Sequence, residues 1–199
     1  EAQIYPISID EIERADYVLL THTHDDHSDS IGRIQKRFPQ AAIFVGDLSA
    51  EALCKEYDLN VERLFRIRGG EEYEFDDVKI EVISARHTES KGGNYWDRGY
   101  CIQKDGSRRE TMWYGSLEMY NFRITDVNGY RAVVWGGMTT EEQIHRMEKY
   151  SGNEIAFMHV SPNRITRCLQ DWCRLLIPRQ LFHITMISGK PCLQQSQSY

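Results

Sequence analysis

The chain has 199 residues, a length that suits one domain with a sizeable core. Its 24 lysine and arginine residues against 30 aspartate and glutamate residues give a formal net charge of -6. This charge disfavours binding to nucleic-acid phosphates, since no local basic patch is evident. No apolar run approaches the roughly 18–20 residues of a membrane span, and the polar, acidic first residues are unlike a signal peptide. We therefore expect a cytoplasmic protein with no nucleic-acid or membrane partner, whose five cysteines are free thiols.

The first half of the chain alternates predicted strands with predicted helices. Short apolar runs predict buried strands at Tyr17–Thr21 and Ala41–Val45. Helices are predicted at Ser28–Phe38 and from Ser49, as the capping residue, through about Tyr57. This order of elements is typical of strands packed beneath helices.

From residue 64 the apolar residues recur with a period of two, which is typical of strands. We predict a half-exposed strand around Val78–Ser84 that ends just before His87. Two segments, Glu89–Asp97 and Gly115–Asn128, are predicted to be loops that build a pocket. One layered domain over residues 1–199 accounts for all the elements. The remaining predictions are strands at Thr111–Tyr114, Arg131–Trp135, Glu154–Val160 and Gln180–Ile187, and helices at Thr140–Tyr150 and Ile165–Leu176.

A dense group of metal-ligand residue types follows the first predicted strand, where the chain reads THTHDDHSD from Thr21 to Asp29. Packing imidazoles and carboxylates this closely is costly unless a cation binds them. In H-x-H on an extended segment alternate side chains project to the same side, so His22 and His24 can reach one ion together. A third imidazole from a distant strand end would complete that site, and His87 has such a position.

Asp26 and His27 follow as the chain turns towards the next helix, so they point elsewhere and could hold a second ion nearby. Three imidazoles plus water is a common open catalytic arrangement for zinc. One or two zinc ions are therefore predicted, with manganese or iron as alternatives in a mixed histidine and aspartate site. For any one of these histidines taken alone, the alternative is a surface residue in a polar loop.

The strand followed by H-x-H-x-D-H resembles the signature of the metallo-β-lactamase superfamily. The nearer resemblance is to its lactonase-like and ascorbate-phosphate-lactonase-like metal-dependent hydrolases, in which segments similar to ADYVLLTHTHDDHSD and LLIPRQLF are usual. This resemblance extends from about Asp10 to Ile187. The resemblance implies an α+β fold, a four-layer αβ/βα sandwich with the metals between the sheet edges. It also implies that the family's first hairpin would precede residue 1.

Carried over by position, the resemblance implies that His22, His24 and His87 bind one metal. Asp26 and His27 would serve the second, and Asp26 would also take a proton from the attacking water. The implied enzyme is a hydrolase in which a metal-bound hydroxide attacks an ester, lactone or phosphoester of a small molecule. Self-association into a homo-oligomer is left open.

The late part of the chain departs from the family pattern. Gly137 stands where a metal-bridging aspartate is expected, and an alternative alignment onto Ser116, with Glu118 close by, offers no convincing replacement. The last expected histidine falls near Thr185, with His183 facing the same side of a strand. These departures favour one ion, or a weakly held second.

Two other functions remain open on the same residues. A metal-binding but catalytically silent member would act in interaction or assembly, and the missing aspartate favours it. A nucleic-acid-processing member would need a basic groove and a steep salt dependence. At the end of a later strand, three residues are candidates to line the site: His159, Ser161 and Asn163.

Overall fold

A computed structural model of the chain describes residues 8–87, 101–102, 108–109, 118–136, 145–146 and 148–158. None of the helices in this part of the chain is long and apolar enough to cross a bilayer. The helices are α1 (Asp25–Ser28), α2 (Ile31–Arg37) and α3 (Ala50–Tyr57), with 3-10 helices at Ile9–Glu11 and Val61–Arg63. The strands are β1 (Tyr17–Leu19), β2 (Ala42–Gly46), β3 (Leu64–Ile67), β4 (Glu72–Glu74), β5 (Val78–Ala85), β6 (Cys101–Ile102), β7 (Arg108–Arg109), β8 (Met119–Asp126), β9 (Arg131–Trp135) and β10 (Ile155–Met158).

Sheet A is a parallel sheet in the order β1-β2-β3. Its central strand β2 is buried along its whole length, as expected for a parallel strand covered on both faces. Ile43 and Val45 pack on one side against Ile31 of α2 and Leu53 of α3. Phe44 points the other way into a second cluster. Alternation along one short strand therefore supplies two cores.

Sheet B has five strands in the order β10-β9-β8-β5-β4, antiparallel except for the β9–β10 pair. Ile80 and Val82 of β5 and Phe122 of β8 pack on the same cluster as Phe44. Sheet B therefore stacks on the face of sheet A that lies opposite the helices. Helices, sheet and sheet form three successive layers, and this confirms the predicted α+β fold.

Further side chains pack on the outer face of sheet B, the face that lies away from sheet A. Glu81 of β5 and Arg123 of β8 face each other in register and form a bidentate ion pair, with Arg123 Nη2 2.6 Å from Glu81 Oε1. The Arg123 guanidinium also lies 5.1 Å from the centre of the Tyr150 ring. Residues 145–146 and 148–149, next to Tyr150, are helical. These four residues lie within the predicted helix Thr140–Tyr150, and the Tyr150 ring packs on Arg123 at the outer face of the sheet.

Three local predictions were wrong. The helix predicted at Ser28–Phe38 is present as α2 but begins only at Ile31, because a separate helical turn, α1, forms within the histidine segment, where the Ser28 N–H bonds to the His24 carbonyl at 3.0 Å. The strand predicted to be half-exposed, β5, is buried on both faces from residue 80 to 83. The loop predicted at Gly115–Asn128 contains β8, whose polar residues pair on the outer face of sheet B.

Other predictions agree with the structure or lie outside it. Strand β9 has the predicted bounds, and β1, β2 and β10 overlap their predicted segments. A single domain over residues 1–199 stays a prediction. The segments Glu89–Asp97, Thr111–Tyr114, Ile165–Leu176 and Gln180–Ile187 lie outside the described residues.

Candidate metal centre

The segment that carries His22 is held by both sheets. After β1 ends, the Leu20 N–H donates to the Phe44 carbonyl of sheet A at 3.0 Å. One residue later the Thr21 carbonyl accepts from the Tyr120 N–H of sheet B at 2.8 Å. His22 is 5% exposed, so its ring enters the site from a backbone fixed on two sides.

His24 is fixed from the other direction by α1. Its carbonyl accepts the His27 N–H at 2.9 Å, and the buried Ser28 hydroxyl also donates to it at 3.1 Å. The same Ser28 oxygen lies 3.3 Å from the Tyr57 hydroxyl of α3. The first turn of α1 thus ties the end of the histidine segment to the helix layer.

His87 reaches the site from sheet B. Strand β5 ends at Ala85, which pairs with Met119 at the start of β8. His87 follows two residues later and is half-buried. Because Tyr120 of β8 bonds to Thr21, this end of sheet B lies beside the segment that holds His22.

The three rings meet at the junction of the two sheets. The ring centres of His22 and His24 are 4.8 Å apart, those of His22 and His87 4.9 Å, and those of His24 and His87 4.5 Å. One ligand nitrogen from each ring lies within 4.8 Å of the other two. Among the described residues, this is the one group of three or more histidine, cysteine or acidic side chains close enough to share a metal ion. The sequence prediction that these residues share one place is matched by the geometry, and their role as ligands stays a prediction.

This donor set fits a small divalent cation. Nitrogens bonded to one tetrahedral ion at about 2.0–2.1 Å lie roughly 3.4 Å from one another. The three ligand nitrogens lie within 4.8 Å of one another, close enough for side-chain rotation to bring all three into coordination. Three neutral imidazoles suit zinc better than magnesium or calcium, which prefer oxygen ligands.

His27 and Asp26 have a different setting from the three histidines. The His27 ring centre is 4.0 Å from that of His22, yet His27 is exposed and does not belong to the cluster of three. The backbone of Asp26 lies in α1, and its side chain is outside the described residues. The second ion therefore stays a prediction.

Glu118 stands at the same end of sheet B but does not belong to the histidine cluster. Its carboxylate accepts from the Ser49 N–H at 2.8 Å and the Leu48 N–H at 3.3 Å, at the start of α3, and from the Tyr120 hydroxyl at 3.0 Å. Burial and the adjacent Glu118 carboxylate raise the pKa of Tyr120, which keeps its hydroxyl a donor. Ser49 precedes α3 as predicted but makes no side-chain capping bond. Glu118 stabilises that helix end instead.

Gly46 leaves room for this carboxylate. A Cβ atom built on Gly46 would lie 2.0 Å from Glu118 Oε1 and 2.1 Å from its Cδ. Glycine at the end of β2 therefore lets the Glu118 carboxylate lie against the strand on its way to α3.

Thr21, Ser28 and Glu118 have roles that the sequence pattern did not indicate. Thr21 Oγ1 lies 3.1 Å from Nδ1 of His22. Thr21 and Ser28 directly flank the histidine segment, and a hydroxyl residue in that position could have indicated a supporting role. No feature of the sequence near Glu118 indicates that its side chain reaches α3. His145, outside the cluster, is exposed, and its Nδ1 lies 3.2 Å from a carboxylate oxygen of Glu148. The other candidates lie outside the described residues: Ser116, Gly137, His159, Ser161, Asn163, His183 and Thr185.

Comparison with known proteins gives curated relatives that match only part of this chain. A UPF0173 metal-dependent hydrolase of Aeropyrum pernix is 34% identical over 64 residues, which is 30% of this chain and 26% of that protein. The coenzyme F420H2 oxidase of Methanothermobacter marburgensis is 35% identical over 46 residues, which is 23% of this chain and 11% of that protein. The matched segments thus span about a quarter or less of these relatives.

Solved structures share the fold over more of the chain. A protein of Parabacteroides distasonis assigned as a metal-dependent hydrolase superposes with a TM-score of 0.54 at 19% identity, covering 84% of this chain and 64% of its own. An isothiocyanate hydrolase from gut bacteria of Delia radicum superposes with a TM-score of 0.52 at 17% identity, covering 78% and 54%.

A family model shows the family directly. The model described as the beta-lactamase superfamily domain matches residues 1–184 of the 199. That match spans both sheets, the helix layer and every histidine of the cluster. The chain belongs to the beta-lactamase superfamily and has the metallo-β-lactamase fold.

Proposed function

We propose that this protein is a metal-dependent hydrolase in which His22, His24 and His87 hold a zinc ion. The observation that carries the proposal is the meeting of three imidazoles from two distant segments, with ligand nitrogens within 4.8 Å of one another. Family membership supports it, because a curated relative is named a metal-dependent hydrolase.

The proposed reaction is hydrolysis of an ester, lactone or phosphoester of a small molecule. When bound, zinc supplies Lewis acidity that polarises a carbonyl or phosphoryl oxygen and lowers the pKa of water. Hydrogen bonds from both sheets and from α1 hold the backbone of residues 20–24, so the imidazoles of His22 and His24 are kept in position. Asp26, two residues beyond His24, accepts the proton of the attacking water.

A second ion is part of the proposal, held by Asp26 and His27. The 4.0 Å separation of the His22 and His27 rings supports a neighbouring position for it. Its affinity is expected to be the weaker of the two, because Gly137 offers no side chain where the family's bridging aspartate is expected. Manganese or iron would be the alternatives in such a mixed site.

The activity, substrate and partners of the whole protein are proposals, since the chain covers less than two thirds of its relatives' length. We expect a small-molecule substrate and a cytoplasmic location. An acidic protein of net charge -6 disfavours a nucleic-acid substrate.

Metal loading and turnover test the proposal together. The protein would be stripped with a chelator, reloaded with zinc, and its zinc content measured by elemental analysis before assay on an aryl ester, a γ-lactone and a phosphodiester. We expect at least one zinc per chain, turnover of at least one substrate class, and a loss of about 100-fold or more in kcat for Asp26→Asn. Equal zinc content in wild type and a His22→Ala/His24→Ala variant would overturn the proposed site.

A metal-binding protein without catalysis is the second candidate, and Gly137 favours it. In that case zinc binds in the same ratio, none of the three substrates is turned over, and Asp26→Asn changes nothing measurable. The same experiment therefore separates the two candidates.

A further inference from the structure

We propose that Thr21 is a positioning residue for the metal, whose hydroxyl orients the His22 ring and accepts its Nδ1 proton when the ion is bound. This inference rests on the proposed metal site and assigns a role to a residue outside the three imidazoles. The observation behind it is the 3.1 Å distance between Thr21 Oγ1 and His22 Nδ1.

The contact decides which nitrogen of His22 can bind a cation. Nδ1 faces the Thr21 hydroxyl, so Nε2, which is buried, is the nitrogen left to face the other two rings. A cation at Nε2 needs a lone pair there, and the ring proton must then sit on Nδ1. The hydroxyl oxygen of Thr21 accepts that proton, so the hydrogen bond and the ion favour the same tautomer.

The hydroxyl is held where this role requires it. The backbone on either side of Thr21 Cα is tied down, by Leu20 N–H to sheet A and by the Thr21 carbonyl to sheet B. The β-branched side chain has few rotamers, so a fixed backbone also restricts the position of Oγ1. Because His22 is 5% exposed, bulk water has little access to replace this partner.

The matched variants are Thr21→Ser, which keeps the hydroxyl, and Thr21→Val, which keeps the shape and removes it. Zinc affinity would be measured by competition with a chromophoric chelator. We expect a roughly 10-fold or greater loss for Thr21→Val, the range found for outer-shell partners of metal-bound histidine, and near wild-type affinity for Thr21→Ser. Thr21→Ala replaces Thr21→Val if the valine variant does not fold.

A spectroscopic readout separates positioning from general damage to the fold. In protein loaded with cadmium-113, heteronuclear coupling to the imidazole ring identifies the nitrogen bonded to the metal. We expect Nε2 of His22, with a slowly exchanging Nδ1 proton, in wild type and Thr21→Ser, and faster exchange of that proton in Thr21→Val.

Coordination through Nδ1 of His22 in the wild type would overturn the inference. So would unchanged zinc affinity together with unchanged Nδ1 proton exchange in Thr21→Val. These readouts need no turnover, so a protein that binds zinc in this way but hydrolyses nothing would refute the proposed activity and leave the role of Thr21 standing.

Discussion

Two polar residues at the same end of sheet B have different kinds of side-chain partner. His87 follows β5 and Glu118 precedes β8, and these strands pair at Ala85 and Met119. Glu118 is satisfied by the protein itself, through two backbone N–H groups at the start of α3 and the Tyr120 hydroxyl. His87 instead meets two other imidazoles.

The difference shows that a strand end does not by itself make a metal site. A carboxylate at this edge finds donors within the fold, so a cation would have to compete with them. Three imidazoles that face one another are instead the donor set of an open zinc site. Exchanging or removing the two kinds of residue should therefore affect different properties of the protein.

The largest expected effect is on zinc affinity in His87→Ala. Loss of one of three protein ligands should weaken binding by more than about 100-fold, beyond the effect of removing an outer-shell partner. Chelator competition measures it. His145→Ala is the matched control, since His145 is exposed and lies away from the cluster, and equal affinities in the two variants would contradict the assignment of His87.

Gly46→Ala should give the largest effect on stability. The new Cβ would overlap the Glu118 carboxylate, so the side chain must leave its donors or the backbone must move, at a cost of about 2–3 kcal/mol. Urea unfolding of the metal-free protein measures it. Placing Gly46→Ala in a Glu118→Ala background should relieve most of the overlap, and full additivity would count against the contact.

Glu118→Ala alone should lower the free energy of unfolding by about 1–2 kcal/mol, the usual cost of losing a helix cap. Its zinc content should equal that of the wild type, in contrast to His87→Ala. A fall in zinc content without a loss of stability would mean that Glu118 is a ligand after all.

The smallest effect is expected at Asp47, another strand-end carboxylate that the protein satisfies. A hydrogen bond from Arg68, and the charges of Arg68 and Arg66, lower the pKa of Asp47. A lowered folded-state pKa stabilises the protein above the ordinary carboxyl pKa of roughly 4, and this stabilisation is lost as pH falls through the folded-state value. Asp47→Asn should therefore be slightly destabilised at pH 7 and converge with wild type in acid. Because both arginine partners are largely exposed, high salt should shrink the difference at pH 7.

Local pattern predicted those parts of the site that depend on local geometry. The H-x-H spacing placed His22 and His24 on one side of the chain, and the strand before His87 brought it to a strand end. Strand β8 was missed because Asn121 and Arg123 interrupt its apolar residues. The fold gives each a partner: the Gly136 N–H donates to Asn121 Oδ1, and Arg123 pairs with Glu81 of β5. The alternation of Tyr120, Phe122 and Ile124 was the overlooked signal.

Contacts between distant segments were beyond prediction from one sequence. Glu118 lies about seventy positions from the helix end that it caps, and no spacing rule connects them. From the sequence, Gly46 likewise looks like an ordinary turn glycine, and only the structure shows the Glu118 carboxylate packed against it. Such contacts depend on how the two sheets stack, which residue pattern alone does not specify.

The hydrogen bond from the Tyr120 amide to the Thr21 carbonyl joins the two sheets one residue away from His22. An ion bound by both His22 and His87 would form a second link across the same junction of the two sheets. The exchange rate of the Tyr120 amide proton should therefore report zinc binding. Its deuterium uptake should slow when zinc is added, while the uptake of amides in the middle of β2 should not change.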